Sequence, residues 1–303
     1  MPAGFPEIWT AYLAADGFVP ELLVELGDAF ATHGRLVLAP GPPRAAAWAQ
    51  NIWLDPKPIE IASIGDGAKA LRRIQRNWAL YAFHLHRRAA LIEAKLPAVK
   101  TKPIAFMATL PTSPLGSWTL LDAGTIVAAA RCSSPFRHGE VAFIEDKTSP
   151  PNRAYLKLWE AFTLLQTKPE QGELCLDLGA SPGGWTWVLQ RCGARVLAVD
   201  KAPLAPAVAR LPGVEFRRAS AFALDPASVG PVDWLFCDVI CYPTRLLKLV
   251  QRWLAAALAR RFVCTLKFQG ETDHATARAF AAIPGSRLMH LSHNKHELTW
   301  VRL

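Results

Sequence analysis

A chain of 303 residues, 51% hydrophobic and 19% charged, has the length for two domains and enough apolar side chains for a core in each. No apolar run approaches the roughly eighteen residues of a membrane span, no leader-like pattern opens at Met1, and the six cysteines form no C-x-x-C pair. These features exclude a helical membrane protein and a disulfide or zinc scaffold and point to a cytoplasmic protein, while the formal charge of +9 fits either a polyanionic partner or an ordinary basic surface.

Residues 1–145 read as a separate, smaller α+β unit. The pattern predicts a strand over Trp9 to Ala14. A helix follows over Pro20 to His33, with Leu22, Leu23, Leu26 and Phe30 on one face. A short strand from Arg35 to Leu38 precedes the Gly41-Pro42-Pro43 turn, and further strands are expected at Ile59 to Ile64, Ile104 to Ala108, Trp118 to Leu121 and Thr125 to Ala130. The longest helical stretch runs from Gly67 to Leu91, with a break near Trp78. It carries Arg72, Arg73, Arg76, His84, His86, Arg87 and Arg88, with Trp78 and Tyr81 between them. Two readings stand for it: side chains that grip RNA backbone and bases, or a solvated basic face over two core aromatics. His84-x-His86 lacks the further ligands a metal needs. Breakers at Ser133-Ser134-Pro135 and Ser149-Pro150-Pro151 frame the junction, with a short strand at Val141 to Ile144 between them.

Residues 146–303 read as a doubly wound α/β sheet. A helix over Arg153 to Leu165 places Tyr155, Trp159 and Phe162 on one face. The apolar run Leu174 to Leu178 then ends in Gly179-Ala180-Ser181-Pro182-Gly183-Gly184. Trp185 to Cys192 is helical, and a second apolar run, Arg195 to Val199, ends in Asp200. Strand, Gly-rich turn, helix and strand open a Rossmann-like sheet, whose ligands sit at the carboxyl ends of the strands. The turn lacks the G-x-G-x-x-G spacing of a dinucleotide site. A turn that lets a ligand approach the backbone, with an acid after the second strand for a ribose diol, also suits S-adenosylmethionine. Further strands are predicted at Val214 to Arg217, leading to Ser220; at Val232 to Cys237, ending at Asp238; and at Arg261 to Leu266, ending at Lys267. Helices are predicted at Arg245 to Arg260 and Asp273 to Ala282. The last strands are Leu288 to Leu291 and Leu298 to Leu303, with Glu297 at the start of the latter.

Asp177-Leu178-Gly179-Ala180-Ser181-Pro182-Gly183-Gly184-Trp185 resembles the first motif of the FtsJ/RlmM group of S-adenosylmethionine-dependent RNA ribose 2'-O-methyltransferases. The likeness covers Pro150 to Leu303. It implies S-adenosylmethionine as methyl donor, no metal, and RNA as partner, ribosomal RNA in the first place. It also implies a ferredoxin-like or THUMP-like RNA-docking module over residues 1–145 and a methyltransferase domain over 146–303. The group uses a Lys-Asp-Lys-Glu tetrad, which maps onto Lys157, Asp238, Lys267 and Glu297. By the resemblance Lys267 is the general base, Lys157 holds the ribose and tunes Lys267, Asp238 lies between the lysines, and Glu297 orients Lys267 or the target ribose. A neutral hydroxyl is a poor nucleophile, so a positioned base helps. A lysine serves only when part of it is neutral, which burial and a second cation favour. The methyl donor's contacts map onto Asn152, Gly179, Ala180, Ser181, Pro182, Gly183, Gly184, Trp185, Asp200, Ser220 and Asp238. The group carries Asp at Ser220 and Ser at Asn152; both exchanges keep polarity.

Other chemistries fit less well. Amino-methylating enzymes carry [D/N]-P-P-[Y/F] after the fourth strand, where Val239-Ile240 follow Asp238 here. Carbon-5 cytosine methylation needs a cysteine nucleophile, and Cys241 reads as structural. His290, His293 and His296 recur every third residue, which on extended backbone points them different ways.

Overall fold

The structure, a computed structural model, describes residues 5–303. Met1, where the leader pattern was sought, lies outside the described residues. Two compact units divide the chain, Met1–Phe143 and Ile144–Leu303.

The first unit runs β1 (Trp9–Ala14), α1 (Val19–Leu26), β2 (Ala31–His33), β3 (Leu36–Pro40) and β4 (Ala49–Leu54). It continues with β5 (Lys57–Glu60), α2 (Ile64–Ile74), β6 (Trp78–Leu80), α3 (His86–Glu93), β7 (Gly116–Leu120), β8 (Thr125–Ala129) and β9 (Arg131–Cys132). One sheet has the order β2-β3-β1-β4-β9 and the other β5-β8-β7-β6. Successive side chains of a strand point to opposite faces. Along β8, Ile126 and Ala128 join a core with Leu71, Trp78, Ile92 and Trp118. Val127 and Ala129 join a second core with Trp9, Leu13, Leu38 and Trp53.

Four predicted elements differ here. The helix expected to reach His33 stops at Leu26, because Gly27 adopts a left-handed φ of 78° and the chain turns back into β2. Gly67 to Leu91 is two helices with a strand between them. Gln75 is fully extended, and Trp78–Leu80 pair with β7. The Trp78 indole stays at the end of α2, donating from Nε1 to the Leu71 carbonyl at 3.0 Å. The stretches Ile104 to Ala108 and Val141 to Ile144 contribute a single bridge, Ile104 to Phe143. Strand β4 escaped the sequence reading because Gln50 and Asn51 interrupt its apolar pattern. Asn51 is nonetheless buried, and its Oδ1 accepts the Ser134 N–H at 3.1 Å.

The second unit runs α4 (Tyr155–Leu165), β10 (Leu174–Leu178), α5 (Gly184–Arg191), β11 (Arg195–Asp200), α6 (Pro206–Ala209) and β12 (Val214–Arg218). Then come α7 (Pro226–Val229), β13 (Val232–Cys237), α8 (Pro243–Ala256), β14 (Ala259–Lys267), α9 (His274–Ala281), β15 (Ser286–Met289) and β16 (Glu297–Arg302). Its seven strands form one sheet of order β12-β11-β10-β13-β14-β16-β15. The first five in this row are parallel, and β16 runs antiparallel to β14 and β15. This is the Rossmann-like, doubly wound sheet. The order reverses at β10, which has β11 on one side and β13 on the other; a crevice opens beyond such a switch point.

Helix α4 carries more than an apolar stripe. Tyr155, Leu156, Leu158, Trp159, Ala161 and Phe162 are buried, and so are Glu160 and Thr163. Tyr155 packs edge-on to both Trp159 and Trp187. A helix buried nearly all round must satisfy its polar side chains inside the protein.

Candidate active site

Strand direction alone assembles the site's edge. The carboxyl ends of β10, β11, β12, β13 and β14 fall on one side of the parallel sheet, bringing Gly179, Asp200, Ser220, Asp238 and Lys267 to that edge. Strand β16 runs the other way, so its first residue, Glu297, sits there too, directly across the ladder from Lys267. Helix α4 feeds β10 at the opposite edge, which returns the first turn of α4, with Lys157, to the same side.

Side chains close the cluster. Lys157 Nζ lies 3.2 Å and 3.4 Å from the two oxygens of Asp238 and 2.7 Å from Glu297 Oε1. Lys267 Nζ lies 3.0 Å from Asp238 Oδ1 and donates to the Asp238 main-chain carbonyl at 2.5 Å. One carboxylate thus stands between two lysine side-chain nitrogens. Glu297 reaches Lys157, and its side chain is not bonded to Lys267. All four side chains are largely buried, from 9% exposed at Glu297 to 18% at Lys267. Burial pushes the Lys157 amine down, but the Asp238 and Glu297 carboxylates together outweigh it, so Lys157 is held above the ordinary lysine range.

The glycine turn is built by close approach. A Cβ on Gly179 would stand 2.6 Å from the Val239 side chain, and one on Gly184 would collide with Asn152 Oδ1. That oxygen also accepts the Ala154 N–H at 3.1 Å, so Asn152 fixes the bend that leads into α4 beside the glycine turn. Ser181 donates its N–H to Asp200 Oδ2 at 3.0 Å and its hydroxyl to the Pro203 carbonyl at 2.9 Å. Asp200 Oδ1 accepts from Ala202 N–H, leaving each oxygen a further lone pair. Trp185 is 4% exposed; its Nε1 donates to the Ala154 carbonyl at 3.0 Å, which pins α5 to α4. Ala180 is buried, Gly183 lies against Val208, and the Pro182 carbonyl accepts from Ala205 N–H.

A cavity of about 230 Å³ opens beside this turn, lined by Gly179, Asp200 and Ser220 among the residues read from the sequence. It is also walled by Phe222, Ile240 and Arg245, which the sequence reading did not assign. The Arg245 guanidinium lies 3.9 Å from the Phe222 ring centre. Their signal was positional: each follows a strand whose end carries a polar site residue. Apolar walls, a ribose-type acid and a hydroxyl at Ser220 fit a nucleoside-bearing donor. Beneath the turn, Asp177 is 1% exposed. Its Oδ2 accepts the Thr186 hydroxyl at 2.6 Å, while Oδ1 has no partner.

The remaining sequence candidates separate. Cys241 is buried, and burial pushes its thiol up, away from a thiolate nucleophile. His290, His293 and His296 face three different partners: the Lys295 carbonyl, Glu160 and Thr272. Among the described residues no group of three His, Cys, Asp or Glu side chains is arranged to hold a metal ion. Trp78 and Tyr81 are 3% and 8% exposed, so neither ring is available to stack on a base, while Arg72, Arg73, Arg76 and Arg87 are exposed.

Residues 150–281 match the family described as FtsJ-like methyltransferase. This part of the chain, within the second unit, belongs to the FtsJ-like methyltransferase family. It is 41% identical over 157 residues to the ribosomal RNA large subunit methyltransferase M of Halorhodospira halophila, covering 49% of this chain and 46% of that one. The protein of the same description from a Marinomonas species is 32% identical over 227 residues, covering 72% of this chain and 58% of that one. Among solved structures, one described as a hemolysin from Streptococcus thermophilus aligns with a TM-score of 0.43 at 20% identity, over 55% of this chain and 71% of that one. The chain spans about half the length of the curated relatives it matches. Among the described residues no helix is long and apolar enough to cross a membrane.

Proposed function

We propose that this chain is an S-adenosylmethionine-dependent RNA ribose 2'-O-methyltransferase acting on ribosomal RNA, with Lys267 as general base and residues 1–143 as an RNA-docking unit. The observation that carries this reading is the cluster of Lys157, Asp238, Lys267 and Glu297 at the sheet edge that also holds the glycine turn and its cavity. The family and the relatives' descriptions support methyl transfer to ribosomal RNA.

S-adenosylmethionine supplies an electrophilic methyl on a sulfonium. Asp200 would accept ribose hydroxyls with its spare lone pairs, Ser220 would face the adenine, and the Phe222 and Ile240 side chains would pack against the donor. As the 2'-oxygen bonds to the methyl carbon, the carbon–sulfur bond would break and the donor would leave as the neutral thioether; the hydroxyl proton would pass to the neutral amine of Lys267, and Asp238 would hold the ammonium that results. Lys157, held above the ordinary lysine range by its two carboxylates, fits a positioning role rather than that of proton acceptor. Much of the remaining rate comes from holding hydroxyl and methyl in line.

The test uses radiolabelled S-adenosylmethionine, the full chain and total RNA lacking its own modification, beside Lys267→Ala. Label in a 2'-O-methyl nucleoside is expected, and the variant should lose about 10²–10⁴ in rate, the range for removing a general base. Label on a base atom, or undiminished transfer by the variant, would overturn the reading.

A further inference from the structure

One turn beyond Lys157 on α4 stands Glu160, 1% exposed and outside the chemistry assigned above. Its Oε1 accepts the main-chain N–H and the hydroxyl of Ser292, each at 2.7 Å. Its Oε2 accepts the main-chain N–H of His293 at 3.1 Å and lies 2.6 Å from that ring's Nδ1. A carboxylate buried this deeply is costly unless both oxygens are bonded, and here four donors meet two oxygens.

The segment it holds leads to the tetrad. Ser292 and His293 lie in the connection from β15 to β16. Downstream, Asn294 Nδ2 donates to the Glu297 carbonyl and to Thr299 Oγ1, each at 3.2 Å, and Phe268 N–H donates to the His296 carbonyl at 3.1 Å. The connection ends at Glu297, whose Oε1 returns to Lys157 Nζ at 2.7 Å. Helix α4 therefore grips one connection at two points, through Glu160 and, one turn earlier, through Lys157.

The geometry points to Glu160 as a positioning residue: by fixing Ser292 and His293 against α4, it sets where Glu297 stands beside Lys157. The role rests on the tetrad reading above. Without the clamp the connection can lift, and Lys157 loses one of the two carboxylates at its ammonium. Glu160→Gln tests this directly, because its amide presents N–H groups where an oxygen had accepted them.

The experiment follows Lys157 by carbon-13 NMR of the full chain labelled at lysine Cε, with methyl transfer measured on the same proteins. Glu160→Gln and Glu297→Gln should each lower the pH at which Lys157 titrates, and the double variant should go no lower than Glu297→Gln alone. The turnover number should fall about tenfold or more in Glu160→Gln, non-additively with Glu297→Gln, while S-adenosylmethionine affinity stays within about twofold. Ser292→Ala, which removes a single donor, should shift Lys157 the same way by less. Lys157 titrating as in the parent in both Glu160→Gln and Ser292→Ala, or losses that add to those of Glu297→Gln, would leave Glu160 a purely structural residue and overturn the proposal. Coupling at Lys157 in a protein that transfers no methyl to ribose would uphold the positioning role and sink the functional reading instead.

Discussion

Asp177 shows how a single side chain registers its surroundings. Burial pushes its carboxyl up to about 7 against the Thr186 hydrogen bond, and the Asp238 and Asp200 carboxylates push in the same direction. The folded chain therefore keeps a proton here that the unfolded chain has released. Native protein binds more protons than unfolded protein between about pH 4 and about pH 7, so this group makes stability fall as pH rises through that window. The slope reaches at most about 1.4 kcal/mol per pH unit. Asp177→Asn keeps an oxygen for the Thr186 hydroxyl and removes the titration. Its stability relative to the parent should rise steadily in denaturant titrations run at pH 5, 6 and 7; parallel curves at the three values would refute the assignment. The turn, Asp238 and Lys267 were legible because each follows an apolar run, where a polar residue is conspicuous; Lys157, inside α4, and Glu297, at the start of β16, were reached only through the resemblance. Glu160 was not, since its four donors lie 132 and 133 residues away and no local pattern marks them.

At the scale of elements, the parallel strands were the easiest to read. Strands buried on both faces are continuous apolar runs, and Val232–Cys237 stands where the sequence put it. The first unit was harder, because its elements are short and fixed by partners. Trp78 fits a helical spacing but is held in a strand by β7, and tertiary pairing outweighs propensity there. The α4–α5 junction has its own test. Trp185→Phe keeps an aromatic ring beside Phe236 but deletes the Nε1–H to Ala154 bond, at the residue just before α4. Losing one such bond costs about 1 kcal/mol, and the Ala154 carbonyl keeps the Lys157 N–H as a partner. Because Asn152 and Gly184 meet at this junction, S-adenosylmethionine binding should weaken with stability. Calorimetric titration with unchanged affinity, despite lower stability, would separate α4 from the donor site.

For the whole molecule, the charge is unevenly placed. The excess of +9 divides as 14 basic against 11 acidic residues in the first unit and 20 against 14 in the second. Within the first unit, the stretch from Lys69 to Lys102 holds nine Lys and Arg with Glu93 as its single acid, so the rest of that unit is net acidic. A net charge this small does not fix a partner, but a concentrated stripe on exposed side chains does favour phosphates. With Trp78 and Tyr81 buried, the stripe can supply backbone contacts and little base stacking, which predicts docking by charge rather than by sequence. Counterion release then gives the measurement. Each phosphate contact to single-stranded RNA adds about 0.7 to the slope of log affinity against log salt. Replacing exposed Arg73 and Arg76 by alanine should flatten that slope by about 1.4 and weaken binding at low salt, with S-adenosylmethionine affinity unchanged. An unchanged slope would mean that the stripe is a solvated face and that RNA is held by the second unit, whose own excess of basic residues is the larger.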